Sequence, residues 1–204
     1  MQPQEKPQGP WSYADYLTWP DEQRWEVIDG VAYAMSPAPT ILHQRISWEL
    51  ARQIGDCLKG RDCQGLAAPF DLRLTEPGAN AEETHTVVQP DLAVFCDPAK
   101  LDTRGAVGAP DLVIEILSPA TSSKDTIIKR RLYEANRVPE YWIVDPSIDQ
   151  VFVFTLEGER YGYAQIYRRD DQVTSQTIPA VTVALAEVFP ERPEEEPAVR
   201  EVRI

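Results

Sequence analysis

The segment PDLVIEILSP, residues 110–119, constrains the fold more than any other stretch of the chain. Side chains alternate along a β-strand, and here both faces are apolar apart from Glu115. A strand with two apolar faces is typical of the centre of a sheet with helices packed on both sides. An unpaired carboxylate in such a place costs several kcal/mol or more. The segment therefore predicts a central strand and raises the question of what Glu115 binds.

The segments around this strand predict an α/β fold. Residues 124–136 predict a helix, and EYWIVD (140–145) predicts the strand that follows it, so that strand, helix and strand form one crossover unit. An amphipathic helix is predicted from Thr40 to about Leu58, and a hairpin is predicted at Asp29-Gly30. These elements indicate a central mixed β-sheet flanked by helices.

Two other predicted strands contain a proline. LAAPFDLRL (66–74) and VVQPDLAVFC (87–96) each have the composition of one strand. Pro90 lies inside the second strand and, because it has no N–H, predicts an edge position or a bulge. Residues 150–178 predict a meander of three further strands.

The chain is organised as one domain with polar ends. Residues 1–10 are rich in Pro and Gln and are expected to be disordered, 11–190 to form a single domain, and 191–204 to form an acidic tail. A length of 204 residues allows one sizeable core, whereas a second full domain would be cramped. The longest apolar runs are shorter than the roughly 18 residues of a membrane span, so no membrane partner is expected.

Charge and cysteine content bear on partners and compartment. The net charge of −13 provides no global positive field for nucleic acid, although a cleft can be locally basic. Cys57, Cys63 and Cys96 are odd in number and form no CxxC pair, which predicts reduced thiols in a cytoplasmic protein. Their spacing from the two histidines disfavours a structural zinc.

The helix after the central strand offers Glu115 a cation. Glu115 lies roughly 10 Å before the end of its strand, and Lys129 lies roughly 9 Å into the helix that runs back along it. Lys129 is expected beside a buried stripe of Ile128, Leu132 and Ala135. The two charged side chains should therefore meet. On this segment alone, a structural ion pair explains Glu115 as well as an active site does.

A second carboxylate favours an active site. Asp91 follows Pro90 and interrupts another apolar strand much as Glu115 interrupts its own. If the two strands are neighbours, two carboxylates and one lysine converge. Mg²⁺ prefers carboxylate oxygens and waters, with a substrate phosphate completing its coordination shell. The pattern predicts a divalent-metal site for phosphate chemistry, in which Lys129 holds the attacking water or stabilises developing charge.

Three motifs carry a family resemblance: QPDLAVF (89–95), GAPDLVIEILSP (108–119) and SSKDTIIKRRLYEANRVPEYWIVDP (122–146). They resemble the PD-(D/E)XK nuclease superfamily, which has the restriction-endonuclease-like fold, and within it the Uma-type branch of small bacterial endonucleases. The similarity runs from about Trp25 to LAEVFP (185–190). The superfamily pattern expects a lysine two residues after the glutamate, where Leu117 stands. The Uma-type branch takes its lysine from the following helix, which fits Lys129.

The resemblance implies roles for individual residues. Asp91 and Glu115 would hold Mg²⁺ or Mn²⁺, with the backbone carbonyl of Ile116 as a third ligand, and Lys129 would position or activate water. Glu26 and His43 fall where the branch carries similar residues and would touch metal or water. The alternatives are the polar side of a hairpin for Glu26 and an ordinary first-turn polar residue for His43.

The predicted function is that of a metal-dependent endonuclease. It would hydrolyse phosphodiester bonds of nucleic acid, with DNA favoured, and a homodimer is left open. Lys124 and Arg130 would meet substrate phosphates, although solvation of the helix explains them equally well. The alternative is a catalytically inactive nuclease-fold protein that acts as a binding or assembly module, which the acidic net charge favours. A glycosidase-type carboxylate pair explains neither Lys129 nor the resemblance.

Overall fold

The computed structural model describes residues 9–20, 23–35, 39–76, 78–118 and 124–191, with the backbone alone at 124 and 125. The predicted disordered segment and acidic tail therefore lie almost wholly outside the described residues, as does the side chain of Lys124. The helices are α1 (Tyr13–Tyr16), α2 (Ile41–Leu58), a π-helical turn (Lys124–Lys129) that continues into α3 (Arg130–Ala135), and α4 (Leu185–Val188), with 3₁₀ turns at Ala81–Glu83 and Pro98–Lys100.

The strands form two larger sheets and a hairpin-like pair. The first sheet has the order β2-β1-β5-β4-β8-β7, the second has the order β12-β11-β10-β9-β6-β3 with β13 also paired to β11, and β14 pairs with β15. The strands are β1 (Trp25–Ile28), β2 (Val31–Ala34), β3 (Gln64–Ala67), β4 (Asp71–Arg73), β5 (Val87–Val88), β6 (Leu92–Phe95), β7 (Leu101–Asp102), β8 (Gly105–Val107), β9 (Leu112–Ile116), β10 (Glu140–Asp145), β11 (Gln150–Glu157), β12 (Arg160–Tyr161), β13 (Gln165–Arg168), β14 (Gln172–Thr174) and β15 (Thr182–Ala184).

Strand β9 is central, as its two apolar faces predict. It pairs in parallel with β10 on one side and antiparallel with β6 on the other. On one face of this sheet, Ile114 belongs to the core that contains the buried stripe of α2. On the other face, Val113 packs in a second core with Tyr133 of α3. The predicted α/β class with a mixed sheet between helices is confirmed.

Helix α2 has the predicted extent and amphipathic character. The Thr40 side chain caps it by accepting a hydrogen bond from the His43 N–H at 3.2 Å. Ile46, Leu50 and Ile54 are buried at the predicted spacing of four residues. This helix brings its first turn, with His43, to the end of the sheet where Asp91 lies.

Proline breaks the two strands that the sequence predicted as continuous. Ala68-Pro69 separates β3 from β4, and Pro90 with Asp91 separates β5 from β6. In both cases the two halves belong to different sheets. Strand β6 lies between β9 and β3, so the predicted edge position is wrong; the missing N–H of proline instead falls where the chain passes between sheets. The predicted C-terminal meander is also incomplete, since β14 pairs with β15.

The buried side of the 124–135 helical segment differs from the prediction. Ile128 is exposed, whereas Lys129 is only 3% exposed and faces the sheet with Leu132 and Tyr133. Ala135, the third residue of the predicted buried stripe, is also exposed, because the helical segment packs on the sheet with the side that carries Lys129 and Tyr133. Of the described helices, none is long and apolar enough to cross a membrane.

The prediction of three reduced cysteines is wrong for two of them. Cys63 and Cys96 form a disulfide, and Cys57 is the free thiol. The pairing of Gln64 with Phe95 on β3 and β6 places the preceding and following cysteines opposite each other. That proximity depends on strand pairing across 33 positions of sequence, which cysteine spacing alone does not indicate.

Candidate active site

Asp91 and Glu115 lie opposite each other on neighbouring strands. The antiparallel ladder of β6 and β9 pairs Leu92 with Ile114, and the next step places Asp91 across from Glu115. Residues directly opposite in such a ladder have Cβ atoms about 5 Å apart. The Ile116 N–H donates to Asp91 Oδ2 at 2.8 Å, which ties the aspartate to β9. The predicted pairing of the strand that follows Asp91 with the strand of Glu115 is therefore confirmed, and the separation of the two carboxylate groups stays a prediction.

Lys129 lies between two buried carboxylates. Its Nζ is 2.8 Å from Oε1 of Glu115 and 2.8 Å from Oε1 of Glu26. The predicted contact with Glu115 is confirmed, and Glu26 is an additional partner. Glu26 is 0% exposed on β1, so its interpretation as the solvated side of a hairpin is wrong. Both larger sheets thus contribute a carboxylate to the same ammonium group.

Tyr133 is a member of this cluster that sequence reasoning did not assign. Its hydroxyl donates to Glu115 Oε1 at 2.7 Å, beside the ammonium of Lys129. Burial and the negative charge of Glu115 raise the pKa of the Tyr133 phenol well above its usual value, so it remains a donor. The spacing of four residues between Lys129 and Tyr133 is the sequence signal that could have identified it, because such residues share one side of a helix.

His43 reaches the same site from the opposite side of the sheet. Its Nε2 lies 3.3 Å from Asp91 Oδ2, and the side chains of His43 and Asp91 are 13% and 20% exposed. They are more exposed than Glu26, Glu115 and Lys129, so the cluster opens to solvent at Asp91 and His43.

Of the two predicted phosphate contacts, the structure describes the side chain of Arg130 alone, which packs against an aromatic ring. The Arg130 guanidinium lies 5.3 Å from the ring centroid of Phe154 on β11, with β10 between that strand and β9. The side chain of Lys124 lies outside the described residues. A role of either residue in substrate binding remains a prediction.

The charges and donor atoms of the cluster fit a divalent cation. The cluster contains three carboxylates (Glu26, Asp91 and Glu115), with Lys129 between two of them and His43 against the third. Within the described residues, no group of three or more His, Cys, Asp and Glu side chains is arranged so that it could hold a metal ion. Mg²⁺ commonly takes one or two carboxylates and completes its shell with waters and phosphate oxygens. Asp91 and Glu115, with the carbonyl of Ile116 at the end of β9, are a set of that kind.

Comparisons with known proteins show the family to which this chain belongs. An uncharacterized protein of Synechocystis sp. (strain ATCC 27184 / PCC 6803 / Kazusa) is 28% identical over 167 residues, covering 80% of this chain and 84% of that protein. The crystal structure of "a putative nuclease belonging to DUF820" from Anabaena variabilis ATCC 29413 superposes with a TM-score of 0.69 at 20% identity, covering 88% of this chain and 98% of that one, and shows a shared fold. The model of the Uma2 family, described as "Putative restriction endonuclease", matches residues 13–186. The chain therefore belongs to the Uma2 family.

Proposed function

We propose that this protein is a metal-dependent endonuclease that hydrolyses phosphodiester bonds of nucleic acid, with DNA as the favoured substrate. The observation that carries the proposal is the opposed pair of Asp91 and Glu115, with the Nζ of Lys129 at 2.8 Å from Glu115. A structural ion pair needs one carboxylate for one ammonium, whereas this cluster holds three. Membership of the Uma2 family supports the same activity.

Asp91, Glu115 and the Ile116 carbonyl are the residues we assign to Mg²⁺ or Mn²⁺. When bound, the ion would supply Lewis-acid stabilisation of negative charge on the scissile phosphate. The Ile116 N–H fixes one oxygen of Asp91, so the carboxylate is oriented before any ion arrives. Tyr133 does the same for Glu115 through its hydroxyl.

We assign to Lys129 the role of positioning the attacking water. Glu26 and Glu115 hold its ammonium group from two sheets, so its position is fixed to a degree that a solvent-exposed lysine lacks. From there it would donate to the water or to the developing charge on phosphorus. His43 contacts Asp91 and would orient that carboxylate at the mouth of the site.

One observation favours a second candidate, a nuclease-fold protein that binds or assembles without cleaving. Glu26 and Glu115 are already paired with Lys129, and all three residues are buried. A catalytic role requires that Glu115 accept an ion while it keeps Lys129 close. A binding module requires only that the cluster hold the two sheets together.

The test is cleavage of plasmid and of single-stranded DNA and RNA with Mg²⁺ or Mn²⁺. We expect the wild-type protein to cleave, chelator to abolish cleavage, and Glu115→Gln to lose at least about a hundredfold in rate, as expected when a group that stabilises transition-state charge is removed. Glu140→Gln is the matched control, because Glu140 is another buried carboxylate and lies outside the cluster. It should cleave at the wild-type rate.

Each contrary result has a separate meaning. Full activity in excess chelator would exclude the metal mechanism. Equal activity of wild type and Glu115→Gln would show that the nuclease site is elsewhere. Nucleic-acid binding without cleavage under all metal conditions would favour the binding module.

A further inference from the structure

Gln89 is a buried amide in the polypeptide segment that leads to Asp91. It is 8% exposed and is separated from Asp91 by Pro90 alone. Its backbone N–H donates to Oε1 of Glu26 at 3.0 Å, the same oxygen that contacts the Nζ of Lys129. Gln89 therefore contacts one member of the cluster directly and precedes another by two residues.

The side-chain amide of Gln89 joins a cation to an anion. Its Oε1 accepts from both Nε and Nη2 of Arg24, with Nε at 3.0 Å. Its Nε2 donates to Asp71 Oδ1 at 3.0 Å and to the Tyr16 hydroxyl at 3.2 Å. Arginine only donates and an ionised carboxylate only accepts, so the chemistry of the partners fixes which end of the amide points each way.

These contacts come from three separate elements. Arg24 immediately precedes β1, which also carries Glu26; Tyr16 ends α1; and Asp71 begins β4. Tyr16 and Tyr13 both donate to the carboxylate of Asp71, at 3.2 Å and 3.1 Å. The position of Gln89 is thus determined by a network at one end of the first sheet.

We infer that Gln89 is a positioning residue for the proposed nuclease site, an inference that rests on the proposed function. The side-chain hydrogen bonds of Gln89 fix the position of its backbone. The backbone N–H of Gln89 in turn donates to Glu26, and the backbone leads directly to Asp91. Pro90 restricts the backbone conformation of Gln89, the residue before it. A displacement of Gln89 would therefore also displace Asp91. Loss of the amide would shift Glu26 relative to Lys129 and Asp91 relative to Glu115.

The experiment compares Gln89→Met with Gln53→Met. Gln53 is a matched control: it is also 8% exposed, and its amide accepts from the Ala184 N–H at 2.8 Å and donates to the Ala184 carbonyl at 3.2 Å, joining α2 to the end of β15. Both variants lose a buried amide of the same size. The measurements are kcat and KM for DNA cleavage, the Mn²⁺ concentration for half-maximal rate, and the shift of the melting temperature on adding Mn²⁺.

We expect the Gln89 variant to lose roughly 10- to 100-fold in kcat or in Mn²⁺ affinity, as is usual when partners of metal ligands are removed. The Gln53 variant should melt at a lower temperature and keep its kcat and its Mn²⁺ response. Assays run below both melting temperatures separate this effect from unfolding. Equal kcat and equal Mn²⁺ response in the two variants would overturn the inference.

A reciprocal exchange tests the network without removing its polarity. Gln89→Glu places a second carboxylate against Asp71 and should impair cleavage, whereas Gln89→Glu combined with Asp71→Asn restores one amide and one carboxylate and should recover most of the rate. Failure of the double variant to recover, in a folded protein, would count against the inference. Wild-type protein that neither cleaves nor responds to Mn²⁺ would instead overturn the proposed function, and this inference with it.

Discussion

Lys129 is the residue on which the cluster depends, because its ammonium group contacts both Glu26 and Glu115. Burying ions is costly, and a buried pair is stable only when each charge keeps a partner. Here the ammonium has two, so removing one of them leaves it paired. Removing the ammonium itself leaves two carboxylates facing each other. The consequences of substitution should therefore be strongly asymmetric.

We predict that metal-free Glu115→Gln unfolds with a free energy within about 1 kcal/mol of wild type, because Lys129 keeps Glu26 and the amide oxygen can still accept from Tyr133. Lys129→Met should instead lose about 3–5 kcal/mol, since it removes the ammonium group that contacts both buried carboxylates. Urea denaturation in chelator measures both values. Saturating Mg²⁺ should stabilise wild type by about 2.7 kcal/mol at a hundredfold excess over Kd, and Glu115→Gln hardly at all. A loss in Glu115→Gln as large as that in Lys129→Met would indicate a structural ion pair.

The sequence indicated part of this cluster and not the rest, for physical reasons. Asp91 and Glu115 were identifiable because each interrupts an apolar strand, and Lys129 because helix and strand geometry place it near Glu115. The burial of Glu26 and the contacts of Gln89 were not predictable, since they depend on packing between sheets. No local pattern of apolar and polar residues encodes that packing.

At the scale of single elements, the ends of strands carry polar contacts that decide how neighbouring segments dock. Glu140, the first residue of β10, is fully buried and accepts three hydrogen bonds. Its donors are Trp142 Nε1 at 2.6 Å, Ser175 Oγ at 2.8 Å and the Thr177 N–H at 2.8 Å. Ser175 and Thr177 follow β14, so one carboxylate fastens the β14 and β15 pair to the main sheet.

We predict that Glu140→Gln destabilises the fold by about 1–3 kcal/mol, because the amide N–H₂ would face a donor where the carboxylate accepted. Chemical denaturation measures the loss, with the exposed Glu159→Gln as a control that should unfold like wild type. Unchanged stability in Glu140→Gln would mean that the surrounding donors find other acceptors.

The sequence predicted correctly the elements that have a long apolar pattern. It predicted wrongly the two strands that contain a proline. Helix α2 and strand β9 have repeats that leave little choice of structure. Pro69 and Pro90 lie within apolar runs that continue beyond them, so the runs predict single strands. The breaks exist because each half pairs in a different sheet, which is a property of the tertiary fold and not of the run.

For the molecule as a whole, one cross-link joins two segments that are distant in sequence. Cys63 and Cys96 close a loop with a separation of 33 residues across β3 and β6. Such a cross-link stabilises mainly by restricting the unfolded chain, by roughly 3–4 kcal/mol for a loop of this length. The loop includes Gln89 and Asp91, so the cross-link bounds the segment that forms one side of the site.

We predict that reduction lowers the free energy of unfolding by about that amount, roughly 3–4 kcal/mol. Denaturation with and without reductant measures it, and Cys63→Ala with Cys96→Ala should match the reduced wild type. Thiol titration of the unfolded, unreduced protein should find one reactive thiol, from Cys57. Three reactive thiols would contradict the cross-link.

A second property of the whole molecule is its response to alkali. Burial and neighbouring acids raise the pKa of Tyr13 to about 12, and they also raise the pKa values of Tyr16, Tyr133 and Tyr161 well above that of free tyrosine. A folded-state pKa above the unfolded value of about 10 contributes stability that is complete below pH ~10 and is lost as pH rises through the folded value. We therefore predict progressive destabilisation above pH ~10.

Phenolate absorbance tests this prediction directly. These four tyrosines should titrate in the native protein only well above the range of free tyrosine and should ionise near pH ~10 after unfolding in urea. Tyr133→Phe should remove one of the late-titrating groups. A native titration identical to that of the unfolded chain would contradict the burial of these phenols.

The π-helical turn at Lys124–Lys129 affects how the site can be traced through related sequences. Glu115 and Lys129 are 14 positions apart, and the turn contains one more residue than an ordinary helical turn needs. If a related chain lacks one residue in this turn, the turn can form as ordinary α-helix. The lysine that corresponds to Lys129 would then still precede α3 and face the sheet. A search that demands a fixed interval between glutamate and lysine would pass over such a chain, although its site would be the same.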